Sequence, residues 1–166
     1  MPTSIRRRKR FPPQMPDLTE TVATVLDIYQ RHIEARPLER HCEMRTQCCR
    51  FRLTGKTPMV TMGEAITAAA GWRAAGRKSI PDGQQSDGAC PFLGSDGRCN
   101  NYKHRPLGCR THFCDPAGGP YPRQHVIEAI RELEHLDEAL GGDGPRPLPA
   151  ATRDVWKLVT SNNRRR

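Results

Sequence analysis

The thiols of this chain come in two groups: Cys42, Cys48 and Cys49, then Cys90, Cys99, Cys109 and Cys114. That grouping constrains the fold more than any hydrophobic pattern does. Grouped thiolates are soft, charged ligands that hold zinc, iron or iron–sulfur clusters, so the chain reads first as a metal protein. The competing reading treats the cysteines as small buried hydrophobes. It suits a lone cysteine better than seven in two groups. Seven is an odd number, which fits a complete disulfide framework poorly.

The supply of apolar residues agrees. Only 5% of the 166 residues are aromatic and 36% hydrophobic, against 14 Gly and 15 Pro. A large apolar core is out of reach, and a loop-rich fold supported by metal ligation is expected. Charge is unevenly placed. Arg6, Arg7, Arg8, Lys9 and Arg10 carry five positive charges and Arg164, Arg165 and Arg166 three, so the net +9 leaves only +1 for the rest. Residues 1–16 and 162–166 therefore read as basic, disordered tails, and residues 17–161 as a single cysteine-cluster metal-binding domain. No segment has the roughly 18 apolar residues of a membrane helix. Phe11-Pro12-Pro13-Gln14, not an apolar run, follows the first arginine run, so neither a membrane partner nor an export signal is expected. A cytoplasmic location would keep the thiols reduced.

Helical periodicity is strongest at three places. Asp17 caps a predicted helix to about Arg36, with Leu18, Val22, Val25, Tyr29 and Ile33 on one face and Pro37 as its stop. Thr61-Met62-Gly63-Glu64 has capping-box spacing and opens an alanine-rich helix to about Ala75, with Gly76 behind it. Val126, Ile127, Ile130, Leu133, Leu136 and Leu140 mark a helix over 123–140, closed by Gly141-Gly142. A short helix around Asp154–Thr160 follows a proline-rich linker, with Trp156 and Val159 docking on the core. Phe51-Arg52-Leu53-Thr54 alternates like a short strand, and Gly94-Ser95-Asp96-Gly97 is a turn between Cys90 and Cys99. Residues 77–89, with Pro81-Asp82-Gly83, form a polar loop. The expected fold is mainly α: a small irregular helical domain wrapped around a cysteine-rich metal-binding loop region.

The spacings are C-x5-C-C and C-x8-C-x9-C-x4-C, with 40 residues between Cys49 and Cys90. If both groups meet, the metal closes that long loop. Adjacent Cys48 and Cys49 would point to opposite sides of an extended segment. That suggests a polynuclear cluster, two sites, or one ligand beside one packed thiol. His41, His104 and His112 are further nitrogen donors or neighbours of the site. Arg105 and Arg110 are available to offset thiolate charge, and Tyr102 and Phe92 to pack beside it. There is no phosphate loop, dinucleotide fingerprint, HExxH or nucleophile elbow, which argues against an independent nucleotide-driven enzyme.

Cys90-Pro91-Phe92-Leu93, Gly97-Arg98-Cys99, Tyr102, Arg105-Pro106 and Cys109-Arg110 together resemble the signature of the YkgJ-type cysteine-cluster proteins, the zinc- or iron-chelating CxxCxxCC type. The upstream group is similar to that family's C-x2-C-x2-C-C element, and the resemblance covers about residues 42–114. It implies metal binding by Cys42, Cys48, Cys49, Cys90, Cys99, Cys109 and Cys114. Its cofactor would be an iron–sulfur cluster or iron, with redox activity, or alternatively structural zinc in a module whose basic tails meet nucleic acid or another polyanion. The chain departs from the pattern at Arg45, where the second upstream cysteine would fall, and Cys114 is the candidate replacement.

Because the core is close to neutral, affinity for nucleic acid should reside in the tails. In a salt titration it is expected to be weak and steeply salt-dependent, and to vanish when residues 1–10 and 164–166 are deleted. Binding by the truncated chain at physiological salt would reveal a surface elsewhere.

Overall fold

The computed structural model describes residues 17–81 and 88–161. The two basic tails and the Asp82-Gly83 half of the predicted turn lie outside the described residues. In chain order the elements are α1 (Leu18–Tyr29), α2 (Phe51–Thr54), β1 (Met59–Val60), α3 (Met62–Ala74), α4 (Leu107–Thr111), α5 (Arg123–Ala139), β2 (Arg146–Pro147) and α6 (Leu148–Ser161). The fold is mainly helical, as the sequence predicts. Among the described residues no helix is long and apolar enough to cross a membrane.

α1 starts where its cap demands: the Asp17 carboxylate accepts the N–H groups of Thr19 and Glu20 at 2.9 and 3.0 Å. It continues into one π-helical turn, Gln30–Glu34, closed by the Ala35 N–H donating to the Gln30 carbonyl. Leu18, Val25, Tyr29 and Ile33 are buried along its predicted face.

α3 is the pillar of the fold. Its capping box is complete: Glu64 N–H donates to Thr61 Oγ1, and Thr61 N–H donates to Glu64 Oε2 at 2.9 Å. The helix has no polar stripe. From Gly63 to Trp72, only Ala70 is not buried, which places it inside other helices. It packs on α6, α1 and α5. Small residues permit the close approach. A Cβ on Gly63 would lie 2.9 Å from Leu136 Cδ2, and one on Gly71 would lie 2.2 Å from the His104 ring. One apolar cluster joins α3 and α6 with Phe92 and Cys90, and a second joins α1 and α5 with Leu107.

Two expectations are corrected. Phe51–Thr54 is a helical turn, α2, rather than a strand. Four alternating residues fit either structure, and Gly55, at φ +65°, closes the turn in the left-handed conformation. Phe51 is buried while Leu53 faces solvent at 70% exposure. The last helix begins at Leu148, not near Asp154. Pro149 sits in its first turn, where no intrahelical N–H is needed. The predicted linker also contributes β2, which pairs antiparallel with β1 through Met59 opposite Pro147 and Val60 opposite Arg146.

Glu64 carries more than a cap. Its buried carboxylate accepts the Tyr29 hydroxyl from α1 at 3.1 Å, the Leu107 N–H from α4 at 2.9 Å, and both donors of Thr61. Burial raises the carboxyl's pKa, and the donors from Thr61, Leu107 and Tyr29 oppose the rise. Asp137 acts similarly at the other end, accepting from Met62 N–H at 2.6 Å and Gly144 N–H at 3.0 Å.

Glu64→Ala strands four donors and leaves a void, so urea unfolding should show a loss of about 2–4 kcal/mol. Tyr29→Phe, which removes one neutral donor, should cost about 1 kcal/mol.

Candidate metal centre

The first cysteine loop is held in an uncommon backbone. Met44 and Thr46, neither of them glycine, have φ of 55° and 60°. Such left-handed residues cost on the order of 1 kcal/mol each. Met44 N–H points at Cys42 Sγ, 3.4 Å away. Gln47–Cys49 form a 3-10 turn closed by Cys49 N–H to Thr46 O at 2.9 Å. The segment is therefore not extended, and Cys48 Sγ and Cys49 Sγ stand 4.0 Å apart on one side of it. The difficulty of placing adjacent cysteines on one ion does not arise in this geometry.

The second group is built by the predicted turn. Gly97, at φ +77°, lets the chain fold back so that Gly97 N–H meets Gly94 O at 3.1 Å and Leu93 bridges Cys99. The two groups are latched by backbone: Cys90 N–H donates to Cys49 O at 2.6 Å, and Arg50 bridges Ala89. The Thr46 methyl would lie 3.3 Å from a Cβ at Gly97, so the loops also touch side by side. α4 brings Cys109, and the bond from Leu107 to Glu64 fixes its start.

Electrostatics group six of the seven sulfurs. Cys49, through a shared hydrogen bond, lowers the Cys48 thiol to about 6 against the effect of burial, with help from His112. The same bond pushes Cys49 upward, followed by burial and by Cys48, Cys90 and Cys109. Burial lifts Cys90 to about 12, with Cys99 and Cys48 adding to it. Burial also raises Cys99, opposed by the Asn101 N–H and the Arg105 charge and reinforced by Cys42 and Cys48. Cys109 is raised by burial, then by Cys90 and Cys99, against Arg105. Cys114 is half-buried at the start of the Asp115–Ala117 3-10 turn and is not among the largest influences on Cys48, Cys49, Cys90, Cys99 or Cys109.

The other predicted neighbours fall into separate places. His112 acts on Cys48. His104 lies against Gly71 of α3, where burial lowers its pKa. His41 is exposed. Phe92 is buried and packs on Trp72 at 5.1 Å between centroids. Tyr102 is half-exposed under the Arg105 guanidinium, 3.7 Å from its carbon. Arg45, at the expected cysteine position, is an exposed residue paired with Glu43 at 3.0 Å. Arg110 is buried and fully engaged: it pairs with Glu34, donates to Arg105 O at 2.9 Å and Lys103 O at 2.5 Å, and lies over the Tyr29 ring at 4.3 Å. The polar joints Glu34 and Glu64 were not visible as parts of the site from sequence. Glu64 shows only as a cap, and Glu34 as a polar residue near the end of a helix.

Among the described residues no three thiol, imidazole or carboxylate groups already stand as a ligand set. Two features fit a bound metal. The donors are soft thiols from both halves of the site, and Arg105 Nε is a buried donor with no hydrogen-bond partner.

The family model described as "Putative zinc- or iron-chelating domain", CxxCxxCC, matches residues 41–133. The chain belongs to that family. No curated protein and no solved structure matches it.

A pH dependence follows. Cys90, Cys99 and Cys109 have folded-state pKa values raised above the ordinary 9.0. The metal-free fold therefore gains from these protonated thiols below pH 9 and loses that gain as pH rises toward the folded value of about 12 at Cys90. Metal must displace the same protons, so metal affinity should rise with pH. Zinc titrations in buffers of different ionisation enthalpy should report net proton release at pH 7, and thermal melts of metal-free protein should fall from about pH 9 upward.

Proposed function

We propose that this chain holds iron as a thiolate-bound iron–sulfur cluster, with Cys48, Cys49, Cys90, Cys99 and Cys109 as the central donors and Cys42 at the rim. The observation that carries the reading is that the backbone latches the two cysteine groups at Cys49 and Cys90, with five thiols, Cys48, Cys49, Cys90, Cys99 and Cys109, influencing one another across the latch, one more than a closed zinc site needs. When bound, such a cluster supplies one-electron transfer. The chain's own residues do the rest. α4 and the 94–97 turn present the sulfurs, Phe92 and Trp72 close the inner wall, and Glu64 fixes the α4 start. Cys114 serves as a spare thiol outside the group. A reducing compartment, the cytoplasm, fits seven free cysteines.

A single structural zinc is the second reading, and one distance favours it. Cys48 Sγ and Cys49 Sγ are 4.0 Å apart, close to the edge of about 3.8 Å expected for four sulfurs tetrahedrally placed 2.3 Å from zinc. In that reading the basic tails could supply contact with an anionic partner.

Anaerobic purification decides between them. The cluster reading expects a brown protein with acid-labile sulfide, and loss of most bound iron in Cys99→Ser and Cys109→Ser. A colourless protein with stoichiometric zinc and no labile sulfide would establish the zinc reading. Unchanged metal content in both variants would overturn chelation by the second group.

A further inference from the structure

We infer that Arg105 is the charge partner of the loaded centre: its Nε–H donates to a thiolate sulfur on the Cys99 and Cys109 side once metal has displaced the protons. This rests on the metal-binding reading above and goes beyond it by assigning one hydrogen bond to one atom.

Arg105 Nε is the buried side-chain nitrogen or oxygen left without a partner among the described residues. Such an orphan costs about 1–3 kcal/mol, which an acceptor beside it would recover. The rest of the group is already fixed. Its guanidinium lies over the Tyr102 ring at 3.7 Å, and Nη1 donates to Cys109 O at 3.4 Å. The Arg105 carbonyl is in turn held by Arg110 Nε at 2.9 Å. The guanidinium is therefore held against Tyr102 and the Cys109 backbone, with Nε left over as a donor. Its charge already acts on Cys99 and Cys109, and among the described residues no carboxylate pairs with it.

Other cations are poor candidates. Arg110 has its guanidinium donors committed to Glu34, Lys103 O and Arg105 O. Arg98 is exposed. Four thiolates on a divalent ion leave a net charge of about −2, which a fixed guanidinium fork offsets better than a mobile ammonium. Each sulfur gives its proton to solvent, and the Nε–H bond takes up part of the charge left behind.

Cobalt(II) is a suitable probe because it occupies thiolate sites of either native metal and shows sulfur-to-metal charge-transfer bands. Affinity and band position are measured for the full chain, Arg105→Gln, Arg105→Lys and Arg98→Gln, with helical circular dichroism checked for each. Arg105→Gln is expected to lose about 10–100-fold in cobalt affinity and to shift the band to lower energy. Arg105→Lys keeps the charge and stem but not the Nε–H. It should recover part of the affinity and keep the shifted band, and it decides the question if the Gln variant does not fold. Arg98→Gln should change neither. An unshifted band with affinity within about twofold in the folded Arg105 variants, or an equal loss in Arg98→Gln, overturns the inference. Failure of the unsubstituted chain to take cobalt overturns the inference, and the metal reading falls with it only if anaerobically purified protein also carries neither iron nor zinc.

Discussion

The structure depends on one buried carboxylate. Glu64 accepts hydrogen bonds from α1, from the start of its own helix and from the first peptide of α4. A buried carboxyl is costly unless its lone pairs are met, and here four donors meet them. The result is a fixed angle between the pillar helix and the short helix that carries Cys109. The network continues outward: Tyr29 bonds Glu64 and faces Arg110, Arg110 pairs with Glu34, and Arg110 holds the Arg105 carbonyl. A line of polar contacts thus runs from the centre of the helical core to the edge of the thiol group. The apolar supply is too small to set that geometry by packing alone.

Much of the fold was legible because local chemistry decided it. Asp17, the Thr61 and Glu64 box, Gly76 and the Gly94–Gly97 turn act within a few residues of themselves, and all stand where spacing placed them. The α2 turn and the early start of α6 were not legible. Phe51–Thr54 is too short for period to decide between helix and strand. The 145–149 prolines read as a linker until β2 finds β1, a pairing between segments far apart in sequence.

Membership of a zinc- or iron-chelating family was legible in the cysteine pattern, while the geometry of the candidate site was hidden. Spacing named the thiols, and the fold latches the two groups through Cys49 and Cys90. It could not show that Cys48 and Cys49 lie in a 3-10 turn, because that conformation depends on left-handed Met44 and Thr46, residues with no intrinsic preference for it. Nor could it separate two arginines in one motif. Arg110 is consumed by the core while Arg105 keeps a donor free. Burial and partner choice are long-range outcomes, and neighbouring sequence does not encode them.

The backbone latch between Cys49 and Cys90 changes what a bound metal contributes. Forty residues separate the two cysteines, and the length-dependent entropy of bringing such ends together is about 3 kcal/mol. In this fold, helix packing and a peptide hydrogen bond have already brought them together. A bound ion would then act less as a staple between distant segments than as a clasp on loops already side by side. Its affinity would then reflect sulfur chemistry more than the entropy of closing the chain.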